Sequence, residues 1–418
     1  MPDLPTGWKP IRLSDAGTWL SGGTPTTDEP RFWGGEMPWI SASSMKDFLI
    51  RDSDRKLTKS GATAGTQIID KGTVLFVVRG MSLKKEFRVG VAQRELTFGQ
   101  DCKAIIPSHG IDGTFLALAL KARGSEILSM VDEAGHGTGR LPTDLISNLE
   151  VFIPPPAEQR RIVEIIETLD SQIDEISKAT RKLAMLKLGI TEHAFAELPL
   201  SLRLGQLIIG TPKNGIYKPS SYYGDSGAPI IRIDSFHQGK IKPLSSLLRL
   251  RLSAQEVNEY RVETDDIVVN RVNSIDYVGK SAIVPRYSEP VTFESNMMRC
   301  RIDQEITSAK FVALWLGTAR AMRYFRSCAK SAIAQASINQ LDVGSCPVPE
   351  ADRNAQEKIV SLVSDLNFQE EVRNQEHRHL VMLKQGLMED LLTGRVRSLE
   401  ALHAFEDTQA IPGVRSRN

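Results

Sequence analysis

The feature that most constrains this chain is a long heptad seam in its middle, over residues 157–195. Ile162, Ile166, Leu169, Ile173, Ile176, Leu183 and Ile190 recur at alternating steps of four and three, with Thr180 and Lys187 at the two interrupted positions. That spacing marks a helix laid along another helix. Pro154, Pro155 and Pro156 stop the preceding strand, and Glu158 places negative charge in the first turn, where the helix dipole favours it. The predicted rod is roughly 55 Å long at about 1.5 Å per residue, far beyond an ordinary globular helix. A partner stripe lies near the C-terminus: Ile359, Val363, Leu366, Val372, Leu380, Leu383, Leu387 and Leu391, with Gly394 as a natural stop.

The rest of the chain repeats itself. Arg12-Leu13 returns as Arg203-Leu204, and Gly23-Thr24-Pro25 as Gly210-Thr211-Pro212. Phe32-Trp33-Gly34 returns as Tyr222-Tyr223-Gly224, and Pro38-Trp39-Ile40 as Pro229-Ile230-Ile231. A strand expected at 73–79 ends in Arg79, and its copy ends in Arg271; Val89-Gly90 pairs with Val278-Gly279. A second strand is expected at 103–106. A helix expected at 115–128 opens on an apolar run that returns from Phe311. Gln159-Arg160-Arg161-Ile162-Val163, which opens the central helix, returns as Gln356-Glu357-Lys358-Ile359-Val360.

The expected plan is therefore globule, long helix, globule, long helix. The fold class is α/β (α+β), with two repeated mixed α/β domains separated by an antiparallel coiled coil of two long helices. The divisions fall at 1–153 (first globule), 154–197 (central helix), 198–348 (second globule), 349–395 (C-terminal helix) and 396–418 (a flexible tail).

Composition narrows the class of function. No apolar run approaches the ~20 residues of a membrane span and no N-terminal signal pattern stands out, so no membrane partner is expected. Cys102, Cys300, Cys328 and Cys346 are scattered without a C-x-x-C pair, which reads as a reduced, cytoplasmic protein without zinc. Lys and Arg balance Asp and Glu at 18 each in residues 1–150 but lead by 19 to 13 in residues 201–345. The second globule is basic enough for nucleic acid without demanding it.

No catalytic centre can be assembled. Val278-Gly279-Lys280-Ser281 resembles the end of a phosphate-binding loop, but Ser274 stands where its first glycine belongs. Gly135-His136-Gly137-Thr138-Gly139 follows a predicted helix rather than a strand, unlike a dinucleotide fingerprint. Asp101-Cys102-Lys103 has no further carboxylates at nuclease spacing, and the histidines show no ligand spacing. No metal is expected. What remains is a pair of loops per globule. After the Arg79 strand come Lys84, Lys85 and Arg88; after the Arg271 strand come Asn273 and Lys280. A second pair, 135–140 and 331–337, carries His136 and Arg140 and adjoins Lys330. Arg and Asn reach guanine and adenine edges bidentately, whereas lysines more often hold phosphates. Solvated hairpin tips are the plainer reading of the same loops.

Taken together, the chain resembles the specificity subunit of a type I restriction-modification enzyme. Leu4-Pro5-x-Gly7-Trp8, the two Gly-Thr-Pro turns and the Arg79 and Arg271 strand ends carry the resemblance. Its strongest part is Pro154-Pro155-Pro156-x-Glu158-Gln159-Arg160-Arg161-Ile162-Val163. The second helix departs from the pattern, with Ala351-Asp352-Arg353-Asn354 where another Pro-Pro-x-x-Glu belongs. The resemblance implies that each globule is a target recognition domain reading half of a split site in double-stranded DNA. It also implies that the helices space those domains and dock two methyltransferase subunits, with restriction/translocase subunits joining the complex. S-adenosylmethionine, ATP and Mg would then sit on the partners, no cofactor on this chain, and no catalysis would be its own. Two other readings stay open: a coiled-coil scaffold that binds no DNA, and an unrecognised metal-dependent hydrolase.

Overall fold

Both long helices form, Pro156–Ala196 and Arg353–Thr393, each of 41 residues, in a computed structural model that describes residues 4–134, 137–237, 239–331 and 335–397. The expected tail lies outside the described residues from 398 onward. The chain divides into two units, and each helix contributes to both. Residues up to 177 and from 376 onward make the first; residues 178–375 make the second.

In the first unit Ile162, Ile166 and Leu169 are buried together with Leu391, and Leu380, Leu383 and Leu387 pack against them half-buried. Burying each such side chain is worth about 1.5–3 kcal/mol. Lys384 bonds to Asp170, and Arg397 forks onto Glu158 at 2.9 and 3.0 Å. The later partner on one helix meets the earlier one on the other, so this helix pair is antiparallel. In the second unit Val363 and Leu366 are buried, with Ile359 half-buried. There Lys187 bonds to Glu370 and, at 3.2 Å, to Asn367, while the Glu350 amide donates to the Pro199 carbonyl at 2.9 Å. This pair is antiparallel as well.

The seam differs from the expected one in two ways. Ile173, Ile176 and Leu183 are half-buried rather than enclosed. Val372 is 42% exposed, because the heptad phase passes through Glu370, Arg373 and His377, all half-buried. The apolar pattern alone pointed to Val372. The partner helix decides otherwise, since Lys187 neutralises the Glu370 carboxylate that takes a seam position.

Each unit holds the same pair of sheets. Val74–Val77 and its counterpart Ile267–Asn270 are buried throughout, as near-continuous apolar runs should be. In the first unit the sheet orders Gly17–Ser21, Cys102–Pro107, Val74–Val77, Val89–Ala92, with Leu49–Ile50 added at the edge. The second unit orders Lys213–Asn214, Met297–Cys300, Ile267–Asn270, Ser281–Ile283. The other sheet runs Lys56–Leu57, Trp33–Ile40, Leu96–Phe98, Ile68–Ile69 in one unit. Its counterpart has Leu248–Leu250, Ala228–Ile231, Val291–Phe293 and Arg261–Val262 in the same order. Its central pair is parallel in both copies, Ile40 opposite Phe98 and Ile231 opposite Phe293.

Gln159 and Gln356, both buried, tie each long helix to its unit in the same way. Gln159 accepts from the Asp112 amide (2.7 Å) and donates to the Gly110 and Pro154 carbonyls. Gln356 accepts from the Ser308 amide (2.8 Å) and the Thr307 hydroxyl, and donates to the Ala351 carbonyl. Asp112 and Ser308 in turn cap the equivalent helices Gly113–Ala122 and Ala309–Leu316. The helix expected over 115–128 breaks at Arg123 into Gly113–Ala122 and Gly124–Ser129. Asp352 starts the C-terminal helix by accepting the Ala355 amide at 2.8 Å, so a cap does what the missing prolines would have done.

Two of the paired segments are offset. The Gly23 amide donates to Phe98 and the Ile216 amide to Phe293, which aligns Gly22-Gly23 with Gly215-Ile216, not with Gly210-Thr211-Pro212. A Cβ on Gly22 or Gly215 would overlap the equivalent carbonyls of Gly99 and Glu294. Close approach, not the shared tripeptide, identifies the position. Likewise Val89 faces Phe76 where Ser281 faces Val269, so Val278-Gly279 falls three places early.

Candidate nucleic-acid interface

Each unit carries a small three-stranded sheet where its basic loops converge. In the first, Asp132–Ala134, Thr138–Arg140 and Arg79–Gly80 lie side by side, with Asp132 opposite Arg140 and Arg140 opposite Arg79. In the second, Lys330–Ser331, Ala336–Ser337 and Val272–Asn273 do the same, with Lys330 opposite Ser337 and Ser337 opposite Val272. His136 lies outside the described residues.

The hydrogen bonds fix the correspondence. The amides of Val78 and Arg79 both donate to the Asp101 carbonyl (2.9 and 3.2 Å), as those of Arg271 and Val272 do to Asn296 (2.9 and 3.3 Å). Val78 accepts from Leu141 and Arg271 from Ile338. Arg271 therefore corresponds to Val78, and Arg79 to Val272. The expected repetition of one arginine in both copies is off by a residue, and a one-residue offset turns a side chain to the other face. Arg79 is exposed. Arg271 is half-buried, donates to the Ser295 carbonyl at 3.1 Å, and keeps a buried Nε with no hydrogen-bond partner among the described residues.

The remaining candidates separate by where their charge goes. Arg79 and Arg140 are exposed and directly opposite on one face, an arrangement that costs stability unless an acceptor lies between or above them. Lys85 is exposed at the end of the Met81–Lys84 turn, and Lys84 reaches Glu133 at 3.0 Å. In the other unit Lys330 is exposed and Asn273 half-buried on the platform. Arg88 and Lys280 occupy equivalent places, their carbonyls accepting from the Val77 and Asn270 amides, and both turn inward. Arg88 donates to the Ala42 carbonyl (3.1 Å) and pairs with Glu86; Lys280 donates to the Phe236 carbonyl (2.5 Å) and lies 4.7 Å from that ring's centre. Burial and then the charge of Lys242 lower the Lys280 pKa. These two hold loops in place.

The sequence reading missed a second region in each unit. In the first, the Arg55 guanidinium lies 4.0 Å from the centre of Trp33 and 4.7 Å from that of Trp39, whose rings meet edge to face at 5.4 Å. In the second, an open cavity of about 430 Å³ is lined by Tyr217, Tyr223, Arg232, Leu248, Glu294 and Asn296. Arg232 lies over the Tyr223 ring at 5.5 Å and pairs with Glu294 at 3.4 Å. Burial, then the Glu294 carboxylate, raise the Tyr223 pKa. The signal was a glycine followed by Ile216-Tyr217-Lys218, an aromatic residue with no place in any apolar periodicity. Among the described residues no cluster of His, Cys, Asp or Glu could hold a metal, and no helix is long and apolar enough to cross a membrane.

Comparison with known proteins is consistent with these features. Residues 5–185 match the family described as type I restriction modification DNA specificity domain. The EcoR124I/EcoR124II specificity subunit of Escherichia coli is 30% identical over 173 residues, 41% of this chain and 42% of that one. The matched stretch is thus under half of the E. coli protein's length. The StySPI specificity subunit of Salmonella potsdam is 23% identical across 87% of this chain and 82% of its own. Among solved structures, a chain from work on assembly and conformational transition of the type I R-M system superposes with a TM-score of 0.62. It is 16% identical and covers 94% of this chain and 100% of that one, a likeness of fold.

Proposed function

We propose that this chain, which belongs with the specificity subunits of type I restriction-modification enzymes, is the DNA-reading subunit of such an enzyme and reads a target in two separate blocks. One observation carries this: the same three-stranded platform is built twice on the same backbone hydrogen bonds, with different side chains on each. A duplicated scaffold whose exposed residues diverge suits two different half-sequences. Arg79 and Arg140 offer forked donors to guanine edges or phosphates; Asn273 and Lys330 offer a different set. The chemistry belongs to partners in this reading. Methyltransferase subunits would carry S-adenosylmethionine and restriction/translocase subunits ATP and Mg, all in the cytoplasm, with the long helices as docking surfaces.

The test is selection of bound duplexes from a random pool by the full chain, at low and moderate salt. Two conserved blocks at a constant separation are expected. Arg79→Ala should relax one block and leave the other intact. A single block, or retention independent of sequence, overturns the reading.

A further inference from the structure

Resting on the DNA-reading function above, we propose that the cavity of the second unit receives one nucleobase extruded from the bound duplex. Three observations carry it.

The first is position. The cavity wall at Ser295 and Asn296 supplies the carbonyls that hold Arg271 and the amides entering the Val272–Asn273 platform strand. DNA lying on that platform is beside the cavity mouth.

The second is chemistry. Tyr217 is 77% exposed at the rim and presents a ring on which a base can stack. The Arg232 guanidinium, whose Nε faces the Glu294 carboxylate at 3.4 Å, and the Asn296 side chain both line the cavity and offer polar groups to a base edge. A planar ring rimmed by donors and acceptors satisfies both. The volume of about 430 Å³ falls within the range of small-ligand sites and admits a base with its sugar.

The third is asymmetry. Leu248 faces Ile230 in the ladder where the Arg55 carbonyl accepts the Trp39 amide, and Tyr223 faces Leu250 where Trp33 faces Leu57. The equivalents of Leu248, Ile230 and Tyr223 are thus Arg55, Trp39 and Trp33, and in the first unit those three side chains stack on one another. The rim equivalent of Tyr217 is Thr24. One copy has closed the space that the other keeps open.

An extruded base leaves its partner unpaired whatever its identity, and extrusion is how proteins reach a base inside a duplex. DNA selected by the full chain would be treated, bound and free, with single-strand reagents: permanganate for thymine, chloroacetaldehyde for adenine and cytosine, kethoxal for guanine. One hyper-reactive position is expected at the half-site of the second unit and none at that of the first, which Arg79→Ala distinguishes. Leu248→Trp, which fills the cavity from a half-exposed position, should abolish that reactivity while leaving retention within a few-fold of the parent. Tyr217→Ala should diminish it, and Tyr217→Phe should restore it. Bound DNA with no reactive position, or reactivity unchanged in both Leu248→Trp and Tyr217→Ala, overturns the proposal and leaves DNA reading standing. Failure to retain DNA at all removes both.

Discussion

The two units share a backbone and part company on their surfaces. At the helix anchors they are nearly interchangeable: Gln159 and Gln356 each close a buried set of hydrogen bonds beside a capped helix. On the platforms they diverge, Asp132, Arg140 and Arg79 in one unit standing where Lys330, Ser337 and Val272 stand in the other. Buried polar groups tolerate few substitutions because each lost partner leaves another group unsatisfied. Exposed platform residues carry no such constraint. The likeness marks what the fold needs, and the difference marks what each unit is free to recognise.

The largest expected effect tests the likeness. Gln159→Ala and Gln356→Ala should each cost ~3 kcal/mol, since several buried backbone groups lose their only side-chain partner. Hydrogen exchange should place the loss in the unit that carries the change. A marked difference between the two would mean the anchors are not equivalent. Next comes the divergence itself. Arg79→Ala should weaken one half-site by about 1–3 kcal/mol, measured on duplexes altered in one block at a time. Arg271→Ala, which removes the bond to the Ser295 carbonyl, should lower the melting temperature rather than change base preference. A half-site preference lost without loss of stability would contradict its inward placement.

The helix pairs offer a smaller contrast. Lys187 and Glu370 are 20% and 15% exposed, whereas Asp170, which pairs with Lys384, is 52% exposed. Lys187→Met should cost roughly 2 kcal/mol by leaving a half-buried carboxylate unpaired, and adding Glu370→Met should recover most of it. Lys384→Met should cost under ~1 kcal/mol, because water already screens its partner. Equal losses in thermal or urea unfolding would show that exposure does not set these energies. The smallest effect is a gain. Without DNA, Arg79→Ala should stabilise the first unit by a few tenths of a kcal/mol in a low-salt melt, by relieving its repulsion of Arg140, which keeps Asp132 opposite it on the other side. The equivalent Val272→Ala should bring the second unit no such gain in the same melt.

Much of this was legible in the chain. Heptad spacing, with no proline past the first residue of either stretch, dictated two long helices, because helix periodicity is a local property that one stretch of sequence carries by itself. Repetition of Gln159, Pro38 and Trp33 in kind and order disclosed two copies of one unit; Gln159 and Gln356 recur because each is committed to the same buried bonds. Pairings resting on short exposed resemblance went astray. Gly-Thr-Pro occurs twice for different structural reasons, and Arg79 and Arg271 end their strands one step out of register. Only the tertiary structure could decide these, because ladder register is set by partners far along the chain, Asp101 and Asn296 here, and a single step sends a guanidinium outward or inward. The same holds for Val372, displaced from the seam by the pairing of Lys187 with Glu370, and for the cavity beside Tyr217. Its emptiness depends on Leu248 standing where Arg55 stands in the other copy, and no local pattern records which side chains meet across a sheet.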